Sequence, residues 1–95
     1  MSIEFVNPGI GDASYLKKHD QLLSSLAKID SSKFKLEAWY FFESICGGYI
    51  YCLTANDTET LKILEKIVAD LQFASKTSFK KGKSVDLGQK DPDLW

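Results

Sequence analysis

The sequence contains no arginine, a single histidine, two cysteines and two prolines, and these shortages disfavour several functions. Arginine presents a planar fork of donors that reads phosphates and guanine edges, so its absence disfavours dedicated nucleic-acid recognition. One histidine cannot complete a zinc site with Cys46 and Cys52, whose spacing is also not that of a CxxC redox motif. We therefore expect no metal and no cofactor, and we expect Cys52 to be a small buried hydrophobe within a strand.

Long apolar runs are also missing. None approaches the roughly 18 residues of a membrane-spanning helix, and the first residues, MSIEFVNPG, lack the basic and apolar regions of a secretory signal. We therefore expect a cytoplasmic protein with no membrane contact. The chain of 95 residues is 44% hydrophobic and 26% charged, with a net charge of −1, which is typical of a globular domain. The sequence predicts one domain over residues 1–95, with residues 86–95 as a C-terminal tail.

Residues 34–55 form the most strongly patterned stretch and predict a β-hairpin. In the first half, alternate residues are apolar, and the opposite face carries lysine and glutamate except at Trp39 and Phe41. This alternation is typical of a strand that is covered on one face. The covered face would hold Phe34, Leu36, Ala38, Tyr40 and Phe42. After a Gly-Gly pair, the aromatic and β-branched residues 49–55 predict a central strand.

The remaining apolar patterns predict two helices and further strands. Residues 2–6 predict a first strand, and apolar spacings of three and four predict a helix over residues 13–29 with Asp12 as its N-cap. Asn56 and Glu59 resemble a capping box, which predicts a second helix from there to about residue 73.

The final third of the chain has weaker patterns. Residues 77–81 predict a strand, a turn is expected near Gly82, and Val85 and Leu87 suggest one more short strand. The order β-α-β-β-α-β predicts an α+β fold of the ferredoxin-like type, a two-layer sandwich in which both helices cover one face of an antiparallel sheet.

The uncovered face of that sheet is the candidate functional surface. Because helices cover one face only, Trp39 and Phe41 would be exposed on the other. Two versions of the patch are possible, depending on strand register: Trp39 and Phe41 with Tyr49 and Tyr51, or with Ile50 and Cys52. Large apolar patches mark partner surfaces, and Trp and Tyr are frequent interface anchors. The alternative is that the C-terminal segment covers these aromatics within one chain.

The end of the chain adds two candidate binding residues, Leu94 and Trp95. Pro92 stiffens the approach to them and lowers the entropy lost on docking. We expect both side chains to lie against aromatics of the hairpin, either within the chain or across a dimer.

The run GGYIYCLT invites comparison with the third-strand signature of the RNA-recognition motif. Gly48, Tyr49 and Tyr51 match that signature, while Gly47, Ile50 and Thr54 replace its basic, small and final aromatic residues. This resemblance implies single-stranded RNA binding by stacking on the tyrosines, which is kept as an alternative function.

Two further features have ordinary structural explanations. His19 lies on the apolar stripe of the first predicted helix with no local nucleophile or carboxylate, so a packed histidine with one hydrogen bond is expected rather than a catalytic base. The lysine cluster of residues 76–83 suits a solvated edge strand, where lysines discourage edge pairing, although a phosphate-binding patch is the alternative.

No catalytic set is recognisable, so the sequence predicts a protein that is not an enzyme. We expect a protein-binding module, of the kind that inhibitor, antitoxin or immunity proteins represent, which occludes another protein or forms a homodimer through the aromatic outer face of its hairpin. Besides RNA binding, a dimeric small-ligand enzyme or sensor is the other alternative.

Overall fold

The computed structural model describes residues 1–8, 13–43, 46–75 and 80–85. Its elements, in chain order, are β1 (Ser2–Pro8), α1 (Ala13–Leu26), a 3-10 turn (Ser31–Lys33), β2 (Phe34–Glu43), β3 (Cys46–Ala55), α2 (Thr58–Asp70) and β4 (Ala74–Ser75). The α+β class, with three long antiparallel strands and two helices, is confirmed. Within these ranges, no helix is long and apolar enough to cross a membrane.

The sheet has the order β2-β3-β1-β4, and each neighbouring pair is antiparallel. β3 is central, as its apolar sequence predicts, and Tyr51 pairs with Ala38 of β2 on one side and with Phe5 of β1 on the other. β4 has only two residues, which lie before the strand predicted at 77–81. Residues 77–79 of that prediction fall outside the described ranges.

Residues 80–85 continue the sheet at its opposite edge, beside β2. The N–H of Tyr40 donates to the carbonyl of Lys83 at 2.8 Å, and the N–H of Val85 donates to the carbonyl of Ala38 at 2.9 Å. The N–H of Gly82 donates to the carbonyl of Tyr40 at 2.7 Å, so two residues of this segment oppose Tyr40 in the manner of a β-bulge. Near Val85, where a short strand was predicted, Ser84 forms an isolated bridge with Trp39 and no regular strand is present in the described residues, while Leu87 lies outside the description.

The main core lies between the sheet and the helices. Tyr49, Tyr51 and Leu53 of β3 are fully buried there against Leu22 of α1 and Leu64 of α2. Full burial of each of these leucine side chains contributes about 1.5–3 kcal/mol. This layer fixes the register of the hairpin, because a slip by one residue would turn these side chains to the opposite face.

Both helices end earlier than predicted, and the second has a different cap. α1 ends at Leu26, three residues before the expected end, and the chain then continues in a turn. The N-cap of α2 is Asp57, whose Oδ1 accepts the N–H of Thr60 at 2.7 Å, whereas Asn56 donates its side-chain amide to Ser32. Gln72 has a φ of 59°, which terminates the helix before residue 73. Asp12 lies outside the described residues.

Candidate functional site

The outer face of the sheet carries a second apolar cluster. Val6, Trp39, Phe41 and Ile50, hereafter the outer cluster, lie on the side of the sheet away from the helices. Phe41 is 1% exposed and Ile50 is 0% exposed, while Trp39 is half-buried. The expectation that Phe41 is exposed is therefore wrong. The middle of the outer face is covered within the chain, which is the alternative to an exposed patch.

The register also corrects the predicted composition of the patch. Trp39 pairs with Ile50 and Tyr40 pairs with Tyr49, so Ile50 and Cys52 share the outer face with Trp39. Tyr49 and Tyr51 point to the helices and have no exposed surface. They form neither the predicted partner surface nor a platform for stacking RNA bases. The two positions of the chain end, Leu94 and Trp95, lie outside the described residues.

A groove is present instead at the edge of the sheet, beside the end of β2. This edge groove has a volume of about 420 Å³, and its lining is aromatic and cationic: Tyr40, Phe41, Phe42, Lys80, Lys81, Gly82 and Lys83. Phe42 was expected to be covered by the helices, yet its side chain is 65% exposed. The alternation of side chains along β2 places Phe42 on the helix side of the sheet, as predicted. Phe42 lies near the end of the strand, however, where α1 and α2 do not cover it.

One lysine of the groove is held by the body of the protein. Lys81 Nζ lies 2.8 Å from a carboxylate oxygen of Glu4 and 4.1 Å from the centre of the Trp39 ring. The hydrogen bond from Lys81 to Glu4, together with the charge of that carboxylate, raises the pKa of Lys81. Because Glu4 belongs to β1 and Trp39 to β2, the Lys81 side chain reaches across the outer face and ties its segment to both strands.

The other two lysines of the groove are available to a ligand. Lys80 and Lys83 are exposed, and within the ranges that the structure describes neither forms an ion pair. No acidic side chain lines the groove in the same ranges. The edge groove therefore combines an exposed aromatic ring with two free positive charges.

A buried polar cluster lies on the helix side of the sheet. His19 of α1 is 1% exposed, and its Nδ1 lies 2.8 Å from the hydroxyl oxygen of Tyr51. Its ring centre lies 4.8 Å from that of Tyr49. His19 therefore packs its ring and forms a hydrogen bond as predicted, although its partner is remote in sequence and could not be recognised from local spacing. Burial raises the pKa of Tyr51, so this hydroxyl stays protonated at neutral pH.

The arrangement of the described residues offers little to a metal or a redox reaction. No group of three or more His, Cys, Asp or Glu side chains among them is placed to hold a metal ion. Cys52 is a free thiol on the outer face, half-buried rather than fully buried as expected, with its Sγ 4.0 Å from the hydroxyl oxygen of Thr54.

Comparison with known proteins assigns no family. No protein-family model, no curated protein and no solved structure matches this chain. The functional argument therefore depends on the geometry of the edge groove and of the buried cluster.

Proposed function

We propose that this protein is a non-catalytic module that binds a partner protein at the edge groove. The observation that carries the proposal is Phe42, a large aromatic side chain that is 65% exposed in a groove with free lysines. An exposed apolar residue alone is ordinary, but a concave site with an aromatic anchor is typical of interfaces. The predicted class of function is retained, and the proposed surface moves from the centre of the outer face to its edge.

The buried polar cluster supports a binding role rather than a catalytic one. His19 and Tyr51 are hydrogen-bonded to each other, but both are buried between the sheet and the helices. A general base must reach the proton that it abstracts, and no substrate reaches this pair without unfolding the core.

The finer fold class and the role are also parts of the proposal. We infer a complete ferredoxin-like sandwich, because the sheet order β2-β3-β1-β4 and the helix placement are those of that topology even though β4 has only two residues. An inhibitor, antitoxin or immunity role, and a cytoplasmic location, stay predictions from size and composition.

RNA binding is less well supported than protein binding. The resemblance to the RNA-recognition motif depended on Tyr49 and Tyr51 as stacking residues, and these side chains lie in the core. Lysines of the edge groove supply charge, but stacking platforms supply much of the affinity for single strands.

Replacement of Phe42 tests the proposal. The tagged full chain would be used to capture partners from its native cells, with and without nuclease, alongside Phe42→Ser and a matched control, Ile63→Ser. Ile63 is 47% exposed on α2, so it controls for the loss of a surface hydrophobe. We expect nuclease-resistant capture by wild type and by Ile63→Ser, and loss of capture by Phe42→Ser at unchanged circular dichroism.

Undiminished capture by Phe42→Ser would contradict the proposal. Mass in solution, measured for the same three proteins, would show whether the partner is a second copy of the chain.

A further inference from the structure

Among the described residues, none is bonded to the edge of β2 beyond Tyr40. The backbone groups of Ala38 and Tyr40 point outward along this edge, where residues 80–85 bind the C=O of Ala38 and both the N–H and the C=O of Tyr40. Backbone groups repeat their direction every second residue, so those of Phe42 point outward as well. Gly82 makes the last bond of the segment, and in the described ranges no bond from residues 80–85 reaches Phe42.

The groove beside this edge combines two kinds of chemistry. The exposed ring of Phe42 lies there, next to Tyr40. The side chain of Lys81 contacts Glu4 and Trp39 on the outer side of the sheet, while Lys80 and Lys83 also line the groove. An extended segment that carries both acidic and apolar residues would match this lining.

We propose that the edge groove binds an extended segment of the partner that carries both acidic and apolar residues, and that this segment adds to the sheet at Phe42. This inference rests on the proposed function and specifies the partner's chemistry. Main-chain hydrogen bonds to Phe42 supply affinity, while its ring and the two lysines select the side chains. The attraction between the groove lysines and an acidic segment is local, because the chain as a whole has a net charge of −1.

The experiment uses a probe peptide in place of the unidentified partner. Fluorescein-labelled Glu-Val-Glu-Val-Glu-Val-Glu would be titrated with the full chain and followed by anisotropy. A second peptide carries methyl groups on its three central backbone amides, which block strand pairing, and a third replaces glutamate with lysine. We expect binding of the first peptide, and at least tenfold weaker binding of the other two.

Variants of the protein assign that binding to the groove. Phe42→Ser and the double variant Lys80→Gln/Lys83→Gln should each weaken binding about tenfold. Lys62→Gln/Lys66→Gln, which removes two exposed lysines of α2, should leave it unchanged. Thermal melts of all variants would verify that the fold is intact.

Several results would overturn the inference. Equal binding of the methylated peptide would exclude strand addition, and equal binding of the lysine peptide would exclude recognition of acidic residues. A uridine heptamer that displaces the first peptide and depends on Lys80 and Lys83 would make nucleic acid the ligand. Absence of any binding to the first peptide would equally refute the proposed chemistry.

These failures are distinguishable from failure of the proposed function. If cellular capture depends on Phe42 but is insensitive to Lys80→Gln/Lys83→Gln, the groove binds a partner that is not an acidic strand. If capture is insensitive to Phe42→Ser as well, both proposals are wrong.

Discussion

The Nδ1 atom of His19 shares a hydrogen bond with the hydroxyl group of Tyr51, with 2.8 Å between nitrogen and oxygen. A hydrogen bond between Asn7 and the same hydroxyl group lowers the pKa of Tyr51, but burial raises it more strongly. These contacts connect β1, β3 and α1 through the core.

Removal of either end of the Tyr51–His19 bond should destabilise the fold. Tyr51→Phe and His19→Leu each leave a buried polar group without this partner, which costs about 1–3 kcal/mol. The double variant should lose less than the sum of the single variants, by about 0.5–3 kcal/mol, because the contact is lost only once. Urea unfolding of the four proteins would measure the coupling. Additive losses would show that the two groups do not stabilise each other.

Stability should fall in alkali because of Tyr51. Burial raises its pKa in the folded protein above the ordinary value of 10.0. Below pH 10 the Tyr51 hydroxyl group keeps its proton in both the folded and the unfolded state, so its contribution to the free energy of unfolding is fully present. Above that pH the unfolded chain loses its proton first, and the free energy of unfolding declines as pH rises. Urea unfolding from neutral to strongly alkaline pH, with tyrosinate absorbance in parallel, would measure this decline.

Tyr51→Phe serves as the comparison protein for that titration. Its stability should fall less steeply above pH 10, although it starts lower. A wild-type slope equal to that of Tyr51→Phe would mean that another group causes the alkaline loss.

The adjacent residues Phe41 and Phe42 should respond very differently to truncation. Phe41 is 1% exposed and Phe42 is 65% exposed. Phe41→Ala should cost about 3–5 kcal/mol through lost burial and a cavity, whereas Phe42→Ala should change stability by no more than about 0.5 kcal/mol. Denaturant unfolding would compare them. Similar losses for both would contradict the placement of Phe41 in the outer cluster.

Gly82 should not tolerate a side chain. A Cβ at this position would lie 2.8 Å from the carbonyl oxygen of Tyr40, which is backbone and part of the sheet. Gly82→Ala should therefore detach residues 80–85 from β2 and cost about 1–3 kcal/mol. Ser84→Ala, at an exposed position of the same segment, is the control and should be nearly neutral. Hydrogen exchange at the Tyr40 amide would report the detachment, and unchanged protection would contradict it.

The sequence predicted those features that local periodicity encodes. Alternation along β2 and the apolar spacing of α1 and α2 identified each element, because each buries one face against a neighbour. The cap of α2 was displaced by one residue, since Asn56 and Asp57 are both good caps and only tertiary contacts draw Asn56 toward Ser32.

Features that depend on remote contacts were not predictable in the same way. Residues 80–85 bind the far edge of β2, and His19 meets Tyr51, through pairings that no spacing in the sequence records. Alternation places Phe42 on the apolar face of β2 and therefore predicts a buried side chain. The side chain is exposed because the helices do not cover that end of the strand, which alternation does not encode. The glycine at position 82 predicts a turn, whereas its close approach to the backbone of Tyr40 depends on the tertiary structure.

The position of β1 has a consequence for how the protein is made. β1 leaves the ribosome before the other strands of the sheet, yet Ser2 pairs with Thr54 and Phe5 with Ser75, so both neighbouring strands emerge much later. The β2–β3 hairpin closes over a short loop and can form while synthesis continues. We expect the nascent first strand, with Phe5 and Val6 uncovered, to be the segment that chaperones hold until the hairpin and the second helix have emerged.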